Sequence, residues 1–187
     1  MKLFARVGRW LAVAAVLPVA GAALTAPADA GTAVSGKPGE AAAHARSATP
    51  TFCLNAHLAN IGWQGWRCGS ATWITVGTTG QSRRMEALRI RFGNSDGYVC
   101  AEAHLANIGW QGARCGLAGQ LIEVGTTGQS RAMEAIRLYT SDFNICLDAH
   151  LAGIGWQGTA CAIAPGTLTR GTTGQSRPIE ALNVLAW

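Results

Sequence analysis

The ten residues AHLANIGWQG at 56–65 return letter for letter at 103–112 and, with one change, as AHLAGIGWQG at 149–158. The repetition runs well past the phrase. Aligned on cysteine, CLNAHLANIGWQGWRCG, CAEAHLANIGWQGARCG and CLDAHLAGIGWQGTACA begin at Cys53, Cys100 and Cys146, in steps of 47 and 46 residues. Each is followed by GTTGQS, at Gly77, Gly125 and Gly171, and then by MEALRI, MEAIRL or IEALNV. A period of this length restricts the chain to folds in which one supersecondary unit is repeated side by side or around an axis. A catalytic centre needs one copy of each reacting group, so three copies point to architecture or to binding in several places.

The repeats occupy residues 51–187. Before them, residues 1–30 have the form of a secretory signal peptide: Lys2, Arg6 and Arg9 precede the apolar run LAVAAVLPVAGAAL, and ADA at 28–30 suits a cleavage enzyme. Pro18 and Gly21 interrupt that run, so an uncleaved membrane anchor is not expected, and no membrane association after cleavage is expected. Residues 31–50, rich in Ala, Gly, Ser and Pro, read as a flexible linker. The overall charge of +5 sits mostly in these leading segments. Residues 51–187 hold ten Arg, no Lys and eight Asp or Glu, without a basic stripe, which argues against nucleic acid as a partner.

Within a copy, glycine is too frequent and the apolar spacing too close to two for helices, so short strands are predicted. A hairpin turning at Asn60-Ile61 sets Cys53 opposite Cys68, Leu58 opposite Trp63 and His57 opposite Gln64. Alternation then places Leu54, Ala56, Leu58 and Trp63 on one face and Cys53, Asn55, His57 and Gln64 on the other. Trp63, Trp110 and Trp156 are accordingly assigned to the core. The same register favours Cys53–Cys68, Cys100–Cys115 and Cys146–Cys161 among the fifteen pairings open to six cysteines. Glu86, Glu134 and Glu180 share the phase of Leu88, Ile136 and Leu182, so partly buried carboxylates held by loop amides or by Arg83, Arg131 and Arg177 are expected. GTTGQS reads as a tight loop, and FGNSDGY at 92–98 as a hairpin turn.

No Walker spacing, H-E-x-x-H, C-x₂-C knuckle or nucleophile elbow occurs, so no catalytic residue, metal site or cofactor is expected, and an enzyme such as a hydrolase is disfavoured.

HLANIGWQG followed by GTTGQSxxxEA closely resembles the ChW repeat, the clostridial hydrophobic repeat with its recurring Trp, over three consecutive units at about 51–96, 97–142 and 143–187. The resemblance implies an exported bacterial protein serving cell-surface adhesion or binding of polysaccharides or proteins. Such repeats are often attached to enzyme modules; here the cysteine pairs are an addition and the repeats are expected to be the whole mature protein. The fold class expected is all-β: about twelve strands with pseudo-threefold symmetry, a β-prism rather than a β-trefoil, because each copy reads as a self-contained meander. The function expected is a secreted, non-catalytic, lectin-like or adhesin-like module for a glycan or cell-wall polysaccharide, the alternative being a protein-interaction or cell-surface structural component. Its candidate ligand-binding groups are the outward polar residues Asn55, His57 and Gln64, Glu102, His104 and Gln111, and Asp148, His150 and Gln157.

Overall fold

A computed structural model describes residues 49–187, so the signal peptide and nearly all of the linker lie outside the described residues. Every regular element described is a strand. The first copy supplies β1 (Thr51–Leu58), β2 (Gly62–Trp63), β3 (Arg67–Ser70), β4 (Ile74–Gly77) and β5 (Met85–Gly93). The second supplies β6 (Tyr98–Leu105), β7 (Gly109–Trp110), β8 (Arg114–Leu117), β9 (Ile122–Gly125) and β10 (Met133–Thr140). The third supplies β11 (Ile145–Leu151), β12 (Gly155–Trp156), β13 (Ala160–Ala162), β14 (Gly166–Gly171) and β15 (Ile179–Ala186). There are thus five strands per copy where four were expected, because the second arm of each hairpin is broken in two.

The break changes the register. At the base, Cys53 faces Cys68 as expected, but at the tip His57 faces Trp63 and Leu58 faces Gly62, one residue out of step. The turn has three residues, not two, with Asn60 and Gly62 both at positive φ. Residues 64–66 absorb the difference between β2 and β3. Asn and Gly are the residue types that adopt positive φ at least cost, and Gly153 stands at the equivalent of Asn60 in the third copy with the same sign of φ. The consequence is that Trp63, Trp110 and Trp156 are not core residues. They lie on the histidine side of the hairpin, and Trp156 is 40% exposed.

The inward phase otherwise follows the alternation. Leu54, Ala56, Leu58, Leu88 and Ile90, their counterparts Leu105, Ile136 and Leu138, and Leu147, Leu151, Leu182 and Val184 are buried in one continuous apolar cluster. Full burial of a single Leu or Ile side chain contributes about 1.5–3 kcal/mol, so a shared core of this size is the main stabilising term. Phe143 closes one end of it against Phe52 and Phe92.

Three antiparallel sheets surround this core, an all-β, roughly threefold arrangement compatible with a β-prism. The copies are not self-contained, however. The first sheet is β1 with β2 and β3 on one side and β5 on the other, and its outer strand is β9 from the second copy. The second sheet takes β14 from the third copy, and the third takes β4 from the first. Each copy therefore hands its fourth strand to the preceding sheet, and the exchange closes into a ring. Residues 92–98 carry the chain from β5 in one sheet to β6 in the next, so FGNSDGY is a crossing rather than a hairpin turn. It is tied down from outside as well as within: the Gly97 amide donates to Asp142 at 3.0 Å and to Ser95 at 3.3 Å.

The three disulfides join Cys53 to Cys68, Cys100 to Cys115 and Cys146 to Cys161, each within one copy. Each lies between facing residues at the base of a hairpin, where the cross-strand register brings the two side chains together.

Candidate functional site

The exchanged strands create the junctions at which the polar residues gather. At the root of each GTTGQS loop the chain leaves its host sheet beside a glutamate: the Thr78 amide donates to the Glu180 carbonyl, that of Thr126 to Glu86 and that of Thr172 to Glu134, each at 2.9 Å. Gly125 sits against this carbonyl at φ +93°, where a Cβ would overlap the Glu86 oxygen. Glycine is thus required for the backbones to approach, and Gly77 and Gly171 stand in the same place.

The three glutamates are buried, at 5%, 5% and 7% exposure for Glu86, Glu134 and Glu180. A buried carboxylate needs a partner. It is not Arg83, Arg131 or Arg177: the Nδ1 atoms of His57, His104 and His150 lie 3.3, 3.3 and 3.2 Å from the respective carboxylates, close enough for charge attraction but without the alignment of a hydrogen bond. In the first copy Arg84 adds a contact to Glu86 at 2.9 Å. Each imidazole is in turn met edge-on by the tryptophan opposite it, with ring centroids 5.2, 5.3 and 5.2 Å apart. The one-residue register shift is what places that tryptophan there.

The remaining candidate residues, Asp148 excepted, are occupied within the chain. Gln64, Gln111 and Gln157 accept the amide protons of Gly77, Gly125 and Gly171, each at 2.8 Å, and so hold the end of each exchanged strand to its own hairpin. Asn55 accepts the Gly65 amide at 2.9 Å and Glu102 the Gly112 amide at 3.2 Å, across the irregular segment between the two parts of the hairpin arm. Asp148, in the same position of the third copy, is buried with its Oδ1 unpartnered. Of the three histidines, His104 and His150 are the ones that the fold brings to a cleft beside another copy's loop.

Two such clefts lie at junctions between copies. One, of about 470 Å³, is lined by His150 and Glu180 of the third copy and by Gly80, Ser82 and Arg84 beside the first copy's loop. The other, of about 300 Å³, is lined by His104 and Glu134 of the second copy and by Gly174 and Ser176 of the third copy's loop. The loop serines are held at positive φ, +50° for Ser82 and +52° for Ser176. What the clefts offer is an imidazole, a carboxylate, a hydroxyl and loop backbone, a set of donors and acceptors suited to a neutral polar ligand. Sequence reasoning found the histidines and the burial of the glutamates. It missed their union with the neighbouring loop, because nothing within one copy says which copy's loop will lie beside it.

Residues 57–94 and 104–141 each match the family model described as ChW, Clostridial hydrophobic W. The matches begin at His57 and His104 and run through the hairpin tip, the exchanged strand and the closing strand. No curated protein and no solved structure matches the chain.

Proposed function

We propose that this protein, whose chain carries ChW repeats, is a secreted non-catalytic binding module that engages a glycan or cell-wall polysaccharide at the junction clefts. The observation that supports this reading most is the repeated convergence of a His–Glu pair on the loop of another copy, as in the cleft of His150, Glu180 and Ser82. Clefts that are individually weak gain from repetition when the ligand is a polymer, since after the first contact the others bind at high effective concentration. Three disulfides in so short a domain suit an oxidising, extracellular setting, and the leading apolar segment supplies a route there. The binding groups in this reading are His104 and His150 with Glu134 and Glu180, while the glutamines act on the fold.

A second reading, a protein-interaction or cell-surface structural component, draws on the hairpin tips, where Ile61, Ile108 and Ile154 are 47%, 48% and 50% exposed. Apolar side chains at three equivalent tips suit contact with another protein. Retention on insoluble polysaccharides and cell-wall preparations separates the two. Under the first reading Glu134→Gln together with Glu180→Gln releases the protein from the polymer while Ile61→Ser, Ile108→Ser and Ile154→Ser leave it bound; the opposite pattern, with capture of envelope protein, supports the second. Loss of retention counts only in variants whose melting temperature is unchanged.

A further inference from the structure

The three outward faces differ in one respect that the repeat makes plain. On the first face Arg89 lies over the Trp63 ring, its guanidinium carbon 4.0 Å from the centroid, and pairs with Glu123 on the exchanged strand at 2.7 Å. On the second, Arg137 lies over Trp110 at 4.2 Å and pairs with Glu102 at 2.8 Å. Trp63 and Trp110 thus each carry one guanidinium that is neutralised by one carboxylate. On the third face the arginine position is Asn183, which faces Asp148 in register and is hydrogen-bonded to Thr75 on the exchanged strand. Its tryptophan, Trp156, is 40% exposed where Trp63 and Trp110 are half-buried. Its carboxylate, Asp148, is 8% exposed, has no ion pair among the described residues, and leaves Oδ1 without a hydrogen-bond partner.

We propose that the third face is a binding site for a guanidinium group, as an arginine side chain on a partner polypeptide presents it, seated over Trp156 and compensating Asp148. The second face, where Glu102 stands in the position of Asp148, shows the occupied form of this site, with the cation supplied from within the chain; the first has the same stacked cation, paired instead with Glu123 while Asn55 takes the position of the acid. The third keeps the aromatic platform and the acid and lacks the cation. A neutral side chain in place of arginine removes both the cover from the ring and the charge that balances the acid, so a cation from outside restores both contacts at once. Guanidinium is favoured over ammonium because its plane stacks flat on the indole while its edge remains free to donate to a carboxylate. Nothing in this site depends on the junction clefts binding a polysaccharide.

The test uses the full chain and small probes, followed through the Trp156 and Trp110 indole N–H signals by NMR, assigned with Trp→Phe variants. N-acetyl-arginine methylamide is compared with its neutral isostere, the citrulline analogue, and with glucosamine, and an arginine-containing hexapeptide is compared with the free probe. The expected result is a saturable shift of Trp156 alone, in the millimolar range for the single amino acid and tighter for the peptide, with the citrulline analogue at least tenfold weaker. Asn183→Arg, which reproduces what the other two faces already contain, abolishes the response, and Asp148→Asn weakens it about tenfold. Arg137→Asn uncovers a second responding indole, Trp110. An equal response to the citrulline analogue, a stronger one to glucosamine, no saturable shift of Trp156, or a response that survives Asn183→Arg would each overturn the proposal.

Discussion

Replacing Gln111 by Ala separates a folding role from a binding role for the repeated glutamine. Its Oε1 accepts the Gly125 amide proton at 2.8 Å, and among the described residues this is the only side-chain hydrogen bond that Gln111 makes. Gly125 ends β9, so the bond ties the exchanged strand of the second copy to that copy's own hairpin while β9 itself pairs with β5. Truncation leaves a backbone N–H without its acceptor. For a buried group the cost is about 1–3 kcal/mol; the site is part-buried and water reaches it, so the lower half of that range, about 1–2 kcal/mol, is expected. In a domain near this size a loss of 1 kcal/mol lowers the melting temperature by roughly 2–4 °C, which gives a fall of about 2–8 °C. Gln111→Glu is the informative companion. The carboxylate still offers an acceptor to the Gly125 amide, so it recovers most of the loss, whereas a ligand that read the amide group would be lost equally in both. Thermal and urea unfolding, followed by far-ultraviolet circular dichroism and tryptophan fluorescence, measure both variants. An Ala variant within about 0.5 kcal/mol of the parent, the range of an ordinary surface substitution, would refute the clamp, as would a Glu variant no more stable than Ala.

Gly125→Ala places a Cβ against the Glu86 carbonyl at a positive φ and is expected to cost about 2–5 kcal/mol, read by the same unfolding curves. Trp63→Ala and Trp110→Ala remove half-buried rings that carry a stacked arginine and are expected to cost about 1–3 kcal/mol, with Trp156→Ala costing less; equal losses near 4 kcal/mol in all three would return these residues to the core. Peptide mapping without reduction is expected to recover Cys100 linked to Cys115, and Cys100→Ala with Cys115→Ala to cost about 3 kcal/mol, each loop closing over a separation of 15 residues. Removal of residues 143–187 takes away β15, on which β4 pairs, and β14, which pairs with β10, so the remaining two copies are expected to show neither a cooperative melt nor dispersed amide signals.

Much of this protein is legible from its letters. The Cys53–Cys68 register, the inward phase of Leu54, Ala56 and Leu58, and the burial of Glu86 all follow from alternation and from the repeat. The face of Trp63 does not, since it depends on one extra residue in the turn, and a shift of one reverses a strand's faces. Asn60, Asn107 and Gly153, the three residues at the tip that tolerate positive φ, were the signal that marked the turn. The strand exchange was hidden for a different reason. The apolar letters of β4, β9 and β14 announce strands, but three copies with nearly the same closing strand offer three nearly equivalent edges, and pairing with one's own copy or the next satisfies the pattern equally. Connection geometry decides between them, and single-sequence periodicity carries none. The arginine missing from the third face is legible at Asn183, yet its meaning appears only when Trp156 and Asp148 are seen beside it.

The handing of one strand from each copy to the next has a consequence for the repeat as a unit of heredity. In a linear array, a copy gained or lost changes the length and leaves the neighbours intact. Here every copy is both a giver and a receiver, and the last must reach the first. A gene that dropped to two copies would leave edges unfilled on both survivors, and one that grew to four would have to open every angle between the sheets before the circle met again. The three copies in this ring therefore depend on one another for their sheet edges, and they differ in substitutions that each tolerates, of which Arg89, Arg137 and Asn183 are one visible set.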